Sequence, residues 1–229
     1  VSVTWGAGGS TRRKTVELVT RIQDEIGLTA MAHLSCVGST REELVGTLDQ
    51  LESAGIENVL AHGGDQPENY QPPPDSLRFA NELVALIRPR GRFCIAAACY
   101  PEIHPKARSR EHDLEMLVQK VNAGVDFLIT QLFFDDADYF DFVARARAAG
   151  ISVPIVPGIM PVVSAASIRR MTTLCGARIP DELGRALDAA GADDERTLEV
   201  GVEWATAQCR ELLRRGAPGL HFYTLNRSP

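Results

Sequence analysis

Six polar side chains stand where an apolar run stops or nears its stop: Thr4 after VSV, His33 in MAHL, Asp65 after NVLAHGG, Tyr100 after IAAAC, Gln131 after FLIT, and Tyr223 in HFYTLN. His104 closes the YPEIHP segment that follows Tyr100, where two prolines bracket a rigid turn. A hydroxyl, two imidazoles, a carboxylate, phenols and a carboxamide are short-reach hydrogen-bonding groups. Converging on one place, they would hold a planar polar ligand and tune its chemistry. Each also has a plainer reading. Asp65 follows Gly63 and Gly64 and would cap a glycine turn, while Gln131 would satisfy main-chain groups at a strand end. His62 and His112 read as surface or internally satisfied residues, and Phe133 and Phe134 as core.

Positioning these groups requires strands that all end on one side. The apolar runs predict strands over 1–5, 30–36, 58–61, 95–99, 127–132, 154–159 and 219–223. Amphipathic stretches predict helices over 11–25, 40–55, 76–88, 110–123, 139–148, 166–174, 181–189 and 196–214, and Thr40 with Glu43 forms a capping-box signature. Strands alternating with helices at intervals of about 30 residues predict an α/β fold, a (β/α)8 TIM barrel in one domain over residues 1–229. In that fold, residues at the C-terminal strand ends share one mouth. Seven strands are read where a closed barrel needs eight, and no helix follows Asn226. The expectation is a barrel lacking its first βα unit and its last helix, the segment being part of a longer chain. HGGDQPENYQPPPD, too rich in glycine and proline for regular structure, reads as a ligand-holding loop.

Composition sets further bounds. The chain has 229 residues, 45% of them hydrophobic, enough for a large core. A net charge of −6, with Arg12, Arg13 and Lys14 as a solvated helix start, gives no footprint for nucleic acid. Five cysteines without CxxC spacing signal neither a metal site nor a disulfide framework, and reduced cytoplasmic thiols are expected. No apolar run reaches the roughly 20 residues of a membrane span, so no membrane partner is expected. GAGGS, Gly6–Ser10, lacks the full dinucleotide fingerprint.

Taken in order, VSVTWGAGGSTR, MAHLSC, GGDQP, YPEIHP, ITQLFFD, PIVPGIMP and GLHFYTLNR resemble the 5,10-methylenetetrahydrofolate reductase family across essentially the whole chain. The resemblance implies a flavoprotein oxidoreductase of one-carbon metabolism. Such an enzyme reduces 5,10-methylenetetrahydrofolate to 5-methyltetrahydrofolate through FAD, with NADH or NADPH as co-substrate, and feeds methionine synthesis. Carried over by motif, it implies flavin contacts at Thr4, His33, Gly64, Asp65, Tyr100, His104, Asp113 and Lys120, with Lys120 at the diphosphate and Asp113 at a ribityl or ribose hydroxyl. It implies substrate contacts at Gln131, Met171, Tyr223 and Arg227, catalytic roles for Asp65 and Gln131, and association into homo-oligomers.

Three positions depart from the family pattern. Gly63 stands where an arginine is usual, Met171 where an aromatic or other apolar residue is common, and the Glu-Phe-Phe-Pro-Pro segment that carries the family's acid has no counterpart. A flavin-independent folate reductase and a non-catalytic folate- or flavin-binding barrel remain the alternatives. An aldolase-like barrel would want a strand-end lysine or a metal cluster, and neither is present.

Overall fold

The apolar runs become parallel strands with helices between them. The computed structural model describes residues 1–5, 12–64 and 69–224, the side chains of Arg12 and Arg13 excepted. Asp65, Arg227 and the GAGGS stretch lie outside the described residues. The chain divides into two compact units: residues 1–98 with 119–127, and residues 99–118 with 128–229.

In the first unit β1 (Ser2–Val3), β2 (Met31–Ser35), β3 (Asn58–His62) and β4 (Cys94–Cys99) are neighbours in that order. Every ladder between them is parallel. The register places Val3 beside Ala32, His33 beside Leu60, Ser35 beside His62, and Ala61 beside Ala97. Because side chains alternate along a strand, His33, Ser35, Leu60 and His62 share one face of the sheet.

Helices α1 (Arg12–Ile26), α2 (Arg41–Ser53) and α3 (Ala80–Ile87) supply the cover. In α2, Leu44, Leu48 and Leu51 recur at helical spacing and are all buried. The expected capping box forms: Glu43 N–H donates to Thr40 Oγ1 at 3.2 Å, and Thr40 N–H donates to Glu43 Oε2 at 2.8 Å. Helix α3 starts four residues later than expected, because Glu82 Oε2 accepts from both Arg78 and Phe79 N–H and fixes the helix start there.

The second unit holds most of α4 (Arg110–Asn122) and of β5 (Phe127–Thr130), then α5 (Asp136–Ala148), β6 (Ile155–Val156), β7 (Gly158–Ile159), α6 (Ala165–Cys175), α7 (Asp181–Ala190), α8 (Asp194–Arg214) and β8 (His221–Phe222). The single strand expected over 154–159 is broken. Its first half pairs with β5, Leu128 beside Ile155, and its second with β8, Gly158 beside His221. Pro157, with no N–H to give a ladder, sits at the break, and Gly158 N–H turns to Thr130 Oγ1 at 2.8 Å. Seven apolar runs thus become eight strand segments.

After Thr130 the chain leaves the ladder and buries Leu132, Phe133 and Phe134. Their carbonyls need donors, and α8 supplies them one helical turn apart: Trp204 Nε1 donates to Phe134 O at 3.1 Å and Gln208 Nε2 to Phe133 O at 3.2 Å. The core beside them combines Leu132, Phe134, Met160, Val162, Ile168, Leu183 and Leu187.

Candidate functional site

In the first unit the polar residues lie at and just before the C-terminal strand edge. Thr4 follows β1 and is exposed, and its carbonyl accepts from the buried Thr15 Oγ1 of α1 at 3.0 Å. His33 sits two residues before the end of β2, which runs to Ser35 within the strand expected over 30–36. The His33 ring stands edge-on to that of His62, centroids 6.0 Å apart. Gly64 follows β3 with φ +85°, and a Cβ there would collide with Ser35 Oγ and Val37. Only glycine fits that approach, whatever binds nearby. From the last turn of α4, Lys120 Nζ donates to Ala98 O at 2.8 Å, which brings a cation to the end of β4.

In the second unit the YPEIHP turn is tightly braced. Tyr100 and His104 rings meet edge to face with centroids 4.4 Å apart. Asp113 Oδ2 accepts from His104 N–H at 2.9 Å, so this carboxylate holds the turn. His104 Nδ1 accepts from Lys106 N–H at 3.0 Å, which in the neutral ring puts the proton on Nε2.

Gln131 is the first residue past β5. Its N–H donates to Cys99 O at 2.7 Å, and its Oε1 accepts from Leu132 N–H at 2.9 Å. The main-chain contact foreseen as the plainer reading is therefore present. That contact uses one lone pair of Oε1 and fixes the plane of the carboxamide, whose amide protons remain as donors. Gln131 lines a small half-open cavity, about 10 Å³, with Tyr100, Pro101, Glu102, Ile103, Leu132 and Cys175.

Tyr223 turns inward. Its hydroxyl donates to Thr130 O at 2.7 Å, and burial raises its phenol above the usual tyrosine range. Its ring packs edge-on against His221, whose imidazole burial shifts down. Met171 packs on the apolar cluster beside Tyr223 and Cys175. The structure thus brings Tyr100 and Gln131 to one cavity, with Tyr223 bonded to the residue before Gln131. Sequence reasoning passed over Glu102, Thr130, Cys175 and Arg178. The one available signal was an acidic residue between the two prolines of YPEIHP.

Parallel strands joined through helices, with polar groups at the C-terminal strand ends, define an α/β protein with candidate binding groups at its strand ends. Within that class the chain belongs to the methylenetetrahydrofolate reductase family, whose family model, "Methylenetetrahydrofolate reductase", matches residues 1–229. It is 39% identical over 238 residues to methylenetetrahydrofolate reductase (NADH) 1 of Arabidopsis thaliana, covering 98% of this chain and 40% of that protein. It is 37% identical over 228 residues to 5,10-methylenetetrahydrofolate reductase of Escherichia coli K12, covering 100% of this chain and 76% of that one. Among solved structures, a Clostridium thermocellum protein described as binding two copies of 5-methyl-5,6,7,8-tetrahydrofolic acid superposes with TM-score 0.52 at 16% identity, over 96% of this chain and 85% of that chain. That likeness speaks for the fold.

Proposed function

We propose that the protein reduces 5,10-methylenetetrahydrofolate to 5-methyltetrahydrofolate with NADH or NADPH by way of bound FAD, on a closed (β/α)8 barrel, as a cytoplasmic homo-oligomer feeding methionine synthesis. The observation that carries this reading is the family match along all of residues 1–229. The NADH-named plant relatives support a nicotinamide co-substrate.

The donor set suits a flavin nucleotide. At the strand edge of the first unit a hydroxyl, an imidazole, a side-chain-free glycine and the Lys120 ammonium lie at or near the ends of β1 to β4 in turn. Thr4, His33, Gly64, Asp65, Tyr100, His104, Asp113 and Lys120 would hold the group. FAD, when bound, supplies a carrier that accepts hydride from the nicotinamide and gives it to the folate. The chain's own residues orient and exclude. Gln131, its carboxamide plane fixed by Leu132 N–H, offers amide protons and an oxygen to the amide-like edge of a pterin. Met171 supplies an apolar wall and Tyr223 shapes the ground beneath Gln131, while Arg227 offers a guanidinium to a carboxylate or phosphate. Asp65, by the family resemblance, would bring a carboxylate to the flavin and disfavour negative charge there.

Purified full-length protein tests this reading. It should be yellow, its flavin absorbance should bleach under NADH without oxygen, and the colour should return when 5,10-methylenetetrahydrofolate is added. Colourless protein with folate-dependent NADH oxidation would point to flavin-independent reduction. Yellow protein that NADH does not bleach would point to a binding barrel.

A further inference from the structure

The cavity beside Gln131 has an acidic wall that the proposed chemistry leaves unused. Glu102 lines it together with Tyr100 and Gln131, and its Oε1 accepts the main-chain N–H of Arg178 at 2.9 Å. The Arg178 guanidinium reaches in turn to Asp135 Oδ2 at 3.1 Å and Asp138 Oδ2 at 3.0 Å. Asp135 is the N-cap of α5, accepting from Ala137 N–H at 3.0 Å. From the far end of α5, Arg145 donates to Pro101 O at 3.3 Å.

Three segments are thereby tied together: the turn after β4, the loop after α6 and the first turn of α5. Each adjoins residues of the proposed site. Tyr100 and His104 belong to the first, Met171 and Cys175 lie on α6 just before the second, and Gln131 precedes the α5 cap. The ion pairs of Arg178 are exposed and contribute little. The Glu102 to Arg178 main-chain bond differs from them, because the Glu102 carboxyl is half-buried and burial, with Asp138 nearby, raises its pKa against the pull of the Arg178 N–H. A carboxyl desolvated this way acts through the bond it accepts rather than through its charge.

We propose that Glu102 is a positioning residue: by accepting the Arg178 main-chain N–H it holds the turn after β4 against the loop after α6, and so fixes the cavity wall facing Gln131. Its kinetic consequence rests on the folate reading above. What the bond requires is an acceptor oxygen, not a negative charge, and that requirement separates positioning from proton transfer.

The test compares Glu102→Ala, Glu102→Gln and Arg178→Ala in the flavin-loaded full chain. Glu102→Ala should raise KM for methylenetetrahydrofolate about 5- to 20-fold, as expected for loss of one hydrogen bond to a carboxylate, with kcat within about twofold. Flavin content and the rate of bleaching by NADH should not change. Glu102→Gln keeps an oxygen and should restore KM to near the parent value, and Arg178→Ala keeps the main-chain N–H and should do the same. Amide hydrogen exchange gives a reading that needs no turnover: exchange at Arg178 should quicken about tenfold or more in Glu102→Ala and stay slow in Glu102→Gln. If Glu102→Ala does not fold, Glu102→Asp, one methylene shorter, should show the same changes.

Unchanged KM with unchanged Arg178 exchange in Glu102→Ala overturns the proposal. So does a Glu102→Gln variant that loses kcat and the acidic limb of its pH profile, since that is the behaviour of a proton donor. A parent protein with no folate-dependent turnover would overturn the functional reading instead, and the exchange measurement would still decide whether Glu102 holds the loop.

Discussion

The two units place polar residues at strand ends by different means. In the first, β2 and β3 pair in unbroken register from Met31 beside Asn58 to Ser35 beside His62, and the ladder runs on through Cys36 N–H to His62 O and Val37 N–H to Gly63 O. Main-chain bonds carry most of that edge, and Ser35 adds to them locally, its Oγ accepting from Val37 N–H at 3.2 Å and donating to Gly63 O at 3.4 Å. In the second unit the strands are short and one breaks at Pro157, so side chains take over. Thr130 Oγ1 accepts from Gly158 N–H, Tyr223 donates to Thr130 O, and Trp204 and Gln208 satisfy the carbonyls that follow β5. A regular ladder fixes where a residue stands, whereas side-chain bracing also fixes which way a site wall faces and ties it to distant helices. The second arrangement should be the more sensitive to single substitutions.

One glycine from each unit sets a tightly braced position against an open one. A Cβ at Gly158 would meet Thr130 O and lie 2.6 Å from Tyr223 Cε2, so Gly158→Ala should cost about 3 kcal/mol and lower Tm by several degrees in thermal unfolding. Gly46, inside α2 of the first unit, has open space around it, and Gly46→Ala should add about 0.5–1 kcal/mol. Equal effects at the two positions would contradict the close bracing around Gly158.

Tyr223→Phe should be milder than Gly158→Ala. It deletes one donor to Thr130 O and should cost about 1–2 kcal/mol. No change in Tm would mean that the hydroxyl does not brace β5.

Asp136, in the first turn of α5, gives a smaller and pH-dependent test. Burial raises its carboxyl from 3.8 to about 6, and one of its oxygens is buried without a hydrogen-bond partner. Gln208 and Arg215 pull the pKa down, while Glu211 and Asp135 push it up. A raised acid favours the folded state only while protonated. That contribution is whole below pH 3.8 and is lost as pH rises through about 6. Asp136→Asn should therefore gain on the parent between pH 4 and pH 7, by about 1 kcal/mol after allowing for its half exposure. A Tm difference that stays flat across that range would contradict the assignment.

How legible these regions were follows from the same contrast. The first unit declared itself in sequence because a complete ladder writes an apolar run and a two-residue alternation, and α2 carried its capping box openly. The second unit was legible in its helices but not in its bracing. Nothing in the local pattern says that Thr130 will serve Gly158 or that Arg178 will offer its N–H to Glu102, since both contacts join residues distant in sequence. The break at Pro157 was signalled by the proline itself, yet the apolar run around it still read as one strand. Lys120, marked by resemblance for a diphosphate, and Asp113, marked for a hydroxyl, both show main-chain partners that no motif foretells.

Gln131 is the residue where bracing and proposed chemistry meet, and its substitution tests the account most directly. Stopped-flow traces of flavin bleaching by NADH and of recovery with methylenetetrahydrofolate, taken on full-length Gln131→Ala with flavin content measured alongside, read the two halves of the reaction separately. The account predicts intact bound flavin and an apparent KM for the folate raised about 5- to 150-fold, the loss expected from about 1–3 kcal/mol of buried hydrogen bonding. Unchanged folate kinetics with flavin in place would contradict it and take Gln131 out of the site.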